Sequence, residues 1–258
     1  MHLVKMKLLY AILIGLCLVG WQLPTQVSND DCIGCHSDKD IEAETARGKK
    51  LKLHVSNDSL KGSVHEGMEC LDCHTAKNMS AFEDLPHGSK ENPIQLKCQE
   101  CHEDTHTLFT TSDIHGILRL KGNKNVPSCA ACHGSHQILS HEDPKSRMSR
   151  QLQPLVCGKC HGKDDFNEAQ GILRRGMVTK YKSSVHFKAI EAGKKGASCT
   201  DCHNHHTIQP AKFENSTVKR SAITKMCSNC HEKQSRDYLI SSHGQALEHG
   251  SYDVPNCT

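Results

Sequence analysis

One five-residue pattern limits what this chain can fold into. Cys-x-x-Cys-His recurs seven times, at Cys32–His36, Cys70–His74, Cys98–His102, Cys129–His133, Cys157–His161, Cys199–His203 and Cys227–His231. Zinc modules pair one Cys-x-x-Cys with a second and have no need of an adjacent His. A thiol redox motif gives no reason for seven copies. The spacing suits covalent capture of a porphyrin. Two thiols about one helical turn apart can add across its two vinyl groups, and the next residue is carried under the iron as proximal ligand. The expected haem c attachment residues are Cys32, Cys35, Cys70, Cys73, Cys98, Cys101, Cys129, Cys132, Cys157, Cys160, Cys199, Cys202, Cys227 and Cys230. The expected proximal ligands are His36, His74, His102, His133, His161, His203 and His231.

Composition agrees with an interior that side chains do not supply. Apolar residues make up 36% and aromatics 4% of the 258 residues, where globular chains run near ~45–50% apolar. Seven tethered porphyrins would fill the inside, so folding and cofactor attachment should be one event and the bare chain largely unfolded. The formal charge of +3 needs the same correction. Fourteen propionates would take it to about −11, which removes any signal for nucleic acid or an anionic membrane.

The first cysteines define an internal repeat. The intervals Cys70 to Cys98, Cys129 to Cys157 and Cys199 to Cys227 are each 28 residues, while the alternate intervals are 38, 31 and 42. This predicts tandem two-haem units with fixed spacers and variable inserts. The fold expected is mainly α with much irregular structure and little or no sheet, since no stretch alternates as strands do. Short helices are expected at 185–193 and 218–230. Each insert also places a serine shortly before a histidine: Ser63-Val64-His65, Ser112-Asp113-Ile114-His115, Ser184-Val185-His186 and Ser242-His243. Serine suits a helix N-cap there, with the His in the first turn.

Residues 1–28 read as an export signal or an N-terminal membrane anchor. Lys5 and Lys7 precede an uncharged apolar run from Leu8 to Trp21, short of the ~20 residues of a comfortable span. Cys17 lies within that run as one of its apolar residues. Residues 29–258 are expected to form the multihaem region, with seven complete motifs. At its other end, Asn125-Val126-Pro127-Ser128-Cys129 is echoed by Asp253-Val254-Pro255-Asn256-Cys257, and His243 precedes Cys257 by the 14 residues that separate His115 from Cys129. Cys257 is therefore expected to open an eighth motif, truncated at this point.

Setting aside His2 and the proximal residues leaves 12 of the 20 histidines. The expected distal ligands are His65, His87, His115, His136, His186, His206 and His243. His136 and His206 stand three residues past a proximal His. Which of them serves which iron is open at this level. An iron with imidazoles on both faces has no open position for a substrate and can only pass electrons. The mature region holds few methionines (Met68, Met79, Met148, Met177, Met226), none placed in the repeat as an axial ligand. Low-potential electron transfer is the function expected, with no catalytic residues.

These residues resemble the multihaem c-type cytochromes of the cytochrome c3-like group. The resemblance rests on Ser-Val-His with its following motif at 63–74 and 184–203, on Cys-His-Gly-Ser-His-Gln-Ile at 132–138, and on Asp143-Pro144-Lys145-Ser146 leading to Cys157. It spans roughly residues 30–258. It implies distal ligation by the His after Ser-Val and by the His three past a proximal one. It further implies electron relay in the periplasm or at the cell surface of an anaerobically respiring bacterium, with redox proteins and a quinone-reactive membrane cytochrome b as partners. The sequence departs from that pattern at His74, which is followed by Lys77 where His133 is followed by His136; His87 is the substitute. Two alternatives stand beside the carrier. One is an oxidoreductase acting on a small nitrogen or sulfur oxyanion, although no motif has the Cys-x-x-Cys-Lys form and nothing marks Tyr181, Tyr238 or Tyr252. The other is a structural subunit of a cytochrome filament.

Overall fold

The computed structural model describes residues 27–44, 50–56, 58–76, 94–172 and 175–257. The N-terminal apolar run and His87 lie outside the described residues. The chain divides into two units, residues 1–57 and 58–258.

In the first unit, helix α1 (Asn29–His36) carries the first motif. Ser28 caps it, accepting from the Asp31 N–H while the Asp31 carboxylate accepts from the Ser28 N–H at 2.8 Å, a reciprocal capping box. Strands β1 (Glu42–Glu44) and β2 (Lys50–Lys52) pair antiparallel. The chain then returns to α1, where the Val55 N–H donates to the His36 carbonyl at 2.7 Å.

The second unit is a succession of short helices. In order they are α2 (Cys70–Cys73), α3 (Cys98–Cys101), α4 (Glu103–Ser112), α5 (Ile114–Leu120), α6 (Cys129–His133), α7 (Gln153–His161) and α8 (Asp164–Ala169). They continue as α9 (Met177–Lys182), α10 (Val185–Glu191), α11 (Cys199–His203), α12 (Ile223–Ser228), α13 (Glu232–Leu239) and α14 (Ser242–Glu248). A two-residue antiparallel pair, β3 (His74–Thr75) with β4 (Gln95–Leu96), joins the ends of the second and third motifs. The expectation of a mainly helical, loop-rich chain with little sheet is borne out. Among the expected helices, 185–193 is seen as α10, whereas 218–230 is helical over α12, with turns leading into it.

The repeat is expressed as interlocking between distant segments. Ser63 donates its hydroxyl to the Ile138 carbonyl at 3.1 Å, and the Val64 N–H donates to the same oxygen at 2.8 Å. One repeat on, the Ile114 N–H donates to the Ile208 carbonyl at 2.8 Å, and the Ile208 N–H donates to Asp113 Oδ2 at 2.8 Å. A second clamp links Ser198 Oγ to the Arg150 carbonyl at 2.9 Å, and its counterpart links Asn256 Nδ2 to the Arg220 carbonyl at 2.8 Å. The turn between α4 and α5 is tight enough to need glycine at Gly116, where a Cβ would lie 1.9 Å from the Phe109 carbonyl oxygen.

Apolar side chains contribute little to the interior. Among the described residues Phe187, Leu247 and Pro154 are the buried apolar side chains; the other buried side chains are chiefly polar, among them Ser63, Asp113, Gln153, Asn167 and Ser198. Three such apolar groups supply on the order of 5 kcal/mol. Ordering costs about 1–2 kcal/mol per residue in backbone entropy alone. Polypeptide packing by itself does not offset that cost.

Candidate functional site

The attachment motifs owe their shape to local helix geometry. In each of α6 and α11 the two cysteines and the histidine stand at i, i+3 and i+4, on one helical face. An extended residue precedes both: Ser128 before α6 and Ser198 before α11, the latter with a reciprocal capping box to Asp201. Gly134 ends α6 at φ +90 and Asn204 ends α11 at φ +61. The chain then turns back, so the histidines three past the proximal ones adopt the left-handed conformation, His136 at φ +55 and His206 at φ +58. Non-glycine residues held there mark over-determined and usually functional positions.

The upstream histidines are placed by caps two residues before them. Ser184 caps α10, accepting from the Phe187 N–H at 3.3 Å, and Ser241 caps α14, accepting from the Gly244 N–H at 3.2 Å. The cap of α5 is Asp113, not Ser112, and that of α14 is Ser241, not Ser242, which lies inside the helix. Ser63 holds the same station without a helix: its Oγ accepts from the His65 N–H at 3.2 Å. The common register is a cap two residues ahead of the histidine, at Ser63, Asp113, Ser184 and Ser241.

These placements bring histidines together in pairs. The imidazole of His65 faces that of His102 with ring centres 6.0 Å apart, and His186 faces His231 at 6.0 Å. His115 faces His161 at 6.1 Å, His74 faces His136 at 6.1 Å, and His133 faces His206 at 5.8 Å. In each pair one member is the histidine of an attachment motif and the other an expected distal ligand. Two metal–nitrogen bonds of about 2 Å plus a ring radius of about 1 Å on each side give a separation of about 6 Å. Among the described residues no three His, Cys, Asp or Glu side chains converge on a metal by themselves. A donor set of two opposed imidazoles leaves the equatorial positions to a non-protein ligand, which the adjacent cysteine pair is placed to tether. The residues present fit a bis-imidazole haem c.

The pairing crosses the repeat. A histidine upstream of an even-numbered motif faces the next motif: His65 to the third, His115 to the fifth, His186 to the seventh. A histidine three past an even-numbered motif faces the motif two before it: His136 to the second, His206 to the fourth. His74 therefore has its facing ring in His136. Among the described residues no ring faces His203 or His243. The His36 Nδ1 lies 2.9 Å from the Leu53 carbonyl oxygen. His205 packs edge-on against His206 at 5.5 Å, and His249 Nδ1 lies 2.7 Å from the Gln245 carbonyl oxygen.

Electrostatics suit ligation and not thiol chemistry. Burial holds His133, His161 and His206 below the ordinary imidazole range. The neutral form, the one that binds a metal, is thereby favoured. Burial raises the thiols of Cys73, Cys202 and Cys227, and lifts that of Cys132 to about 11. A shared hydrogen bond raises Cys157 and lowers its partner Cys199. Redox-active Cys-x-x-Cys pairs need lowered thiols on accessible surface, and apart from Cys199 these shifts run the other way. Burial also works to raise the Asp113 carboxyl. Hydrogen bonds from the His115 ring and from the N–H groups of Ile208 and His115 outweigh it and hold that carboxyl below the usual range.

Sequence reasoning singled out the histidines but missed Asp113 and Asn167, both buried beside the His115–His161 pair. The signal for Asp113 was present: the register two ahead of a repeat histidine holds serine at 63, 184 and 241 and aspartate at 113.

One comparison with known proteins bears on the motif. The family model described as the doubled CXXCH motif matches residues 191–236, which include the motifs at Cys199 and Cys227. No curated protein and no solved structure matches the chain. That match, with five further copies of the motif outside it, indicates a multihaem c-type cytochrome-like protein, and the Cys-x-x-Cys-His segments imply covalently bound haem c.

Proposed function

We propose that this protein carries electrons through a row of bis-histidine c-type haems outside the cytoplasm, in the periplasm or at the cell surface of an anaerobically respiring bacterium. The observation that carries the reading is the set of five imidazole pairs spaced 5.8–6.1 Å apart, each joining a motif histidine to a histidine of another segment. Bound haem supplies the one-electron ferric/ferrous couple. The histidine pairs would hold the iron from both sides, which would exclude a substrate from it and keep its ligands unchanged through the couple. Paired imidazoles, with no methionine in the ligand register, favour low potentials.

The cysteines set the order of the row. Cys73 neighbours Cys98 and Cys101, Cys129 neighbours Cys98, and Cys132 neighbours Cys157. Further along, Cys157 neighbours Cys199, and Cys202 neighbours Cys227 and Cys230. Attachment sites adjacent in sequence are thus adjacent in space, so the row between the second and seventh motifs would follow chain order. Cys227 in turn hydrogen-bonds Cys257 as Cys157 does Cys199. That contact supports Cys257 as the first cysteine of an eighth motif and a total of seven or eight haems.

The finer assignments follow from the resemblance: membership of the cytochrome c3-like group, export or anchoring through residues 1–28, and redox partners that include a quinone-reactive membrane cytochrome b. The pairing across the repeat supports the carrier over an oxyanion-reducing enzyme, which needs an iron with an open face. Optical and magnetic spectra of the resting protein test this. Low-spin iron at the five paired sites, with no carbon monoxide binding there, is the expected result. A dominant high-spin population would refute the carrier reading.

A further inference from the structure

The four cap positions ahead of the repeat histidines are equivalent, yet one of them differs in chemistry. Ser63, Ser184 and Ser241 are neutral; Asp113 carries a carboxyl. It is 1% exposed. Its Oδ1 accepts from the His115 N–H at 2.9 Å and lies 3.0 Å from His115 Nδ1, while Oδ2 accepts from the Ile208 N–H at 2.8 Å. Ser63, in the same station, spends its hydroxyl on the His65 N–H and on the N–H and carbonyl of Ile138. The aspartate therefore does the structural work of the serine, and the Oδ1 that caps the helix meets the imidazole as well. Across the ring pair, the fully buried Asn167 donates Nδ2 to the His161 carbonyl at 3.0 Å. Both histidines of this site are thus held by buried side chains.

We propose that Asp113 is a positioning residue that sets the redox potential of the iron held between His115 and His161, holding it lower than a serine in that station would. The proposal rests on the reading of these two histidines as axial ligands. A carboxylate that accepts the Nδ1–H of a ligating imidazole raises the basicity of the coordinating nitrogen. A fixed negative charge in a water-poor site favours the more positive metal state. Both effects favour the ferric over the ferrous form, so the one-electron reduction Fe(III) to Fe(II) becomes harder at this site.

The test compares the haem-loaded wild type with Asp113→Ser, which installs the residue found at 63 and 184, and with Asp113→Asn, which keeps the shape and removes the charge. In a spectroelectrochemical titration one component should move to higher potential by about a tenfold change in its equilibrium, about 59 mV for one electron, with the others in place. Asp113→Asn decides the matter should the serine variant fail to fold. Unchanged components in a fully low-spin Asp113→Asn protein would overturn the proposal. So would a new high-spin signal, because the carboxylate would then be keeping the ligand in place and not tuning it. His115→Ala separates the layers of the argument: a new high-spin iron supports the ligation beneath the proposal, and its absence would overturn that ligation itself.

Discussion

Made without haem attachment, the chain should show no cooperative unfolding transition and little of the far-ultraviolet signal of its helices. The effect is the largest expected for any single change, because it removes the interior and not one contact. Phe187, Leu247 and Pro154 are the apolar side chains buried among the described residues. The helices that carry the motifs are four to nine residues long, too short to persist alone in water. The ion pairs give no alternative support. Those of Lys50 with Glu42, Arg175 with Glu168 and Lys233 with Asp237 lie on the surface, where such pairs contribute about 0–1 kcal/mol each. Circular dichroism and thermal melts of protein expressed with and without the haem-attachment machinery measure this directly. A cooperative melt of the haem-free chain would show that side chains supply the core after all.

His136→Ala should create one iron with an open face, and the iron affected should be the one attached at Cys70 and Cys73. Proximity in sequence would assign His136 to its own motif, Cys129–His133. The structure instead sets its ring 6.1 Å from His74 and sets His206 opposite His133 at 5.8 Å. The variant should gain a high-spin component and bind carbon monoxide at one site, with the remaining paired sites low-spin. Peptide mapping or a parallel His74 variant locates the altered haem. A change at the Cys129–His133 site in place of the Cys70–His74 site would contradict the pairing across the repeat.

The fold class was legible because the constraint was chemical. Seven copies of one motif, few apolar residues and no alternating runs leave room for short helices and loops around something other than side chains. Recurrence relative to the motifs singled out His65, His115, His136, His186 and His206, each of which the structure sets opposite a motif histidine; His243 has no such ring among the described residues and His87 lies outside them. Their pairing was not legible. It depends on clamps between segments far apart in sequence, such as Ser63 with Ile138 and Asp113 with Ile208, and no local pattern states which unit a loop will reach. The caps show the same limit on a smaller scale. Serine was the evident capping residue in Ser112-Asp113-Ile114-His115, but the helix begins one residue later, where Asp113 can bond both the His115 N–H and the Ile208 N–H. Backbone partners contributed by another repeat decided the register.

Burial of hydrogen-bonded polar groups takes the place of a hydrophobic core at the protein's own joints. Ser198, Gln153 and Thr224 are buried, and each is bonded: Ser198 to Arg150, Gln153 to Thr200 and Met148, Thr224 to Asn256. Such groups cost little when satisfied and a great deal when left unpaired. They therefore fix which segment lies against which while leaving the cysteine- and histidine-bearing faces of the motif helices to the cofactor.

The account stands or falls on what is covalently attached to the cysteine pairs, and intact-mass measurement of the mature protein, with iron analysis on the same sample, reads that out. The predicted result is a polypeptide heavier by one haem for each complete Cys-x-x-Cys-His motif, with iron in equal number. A bare polypeptide mass, or zinc in place of iron, would contradict it.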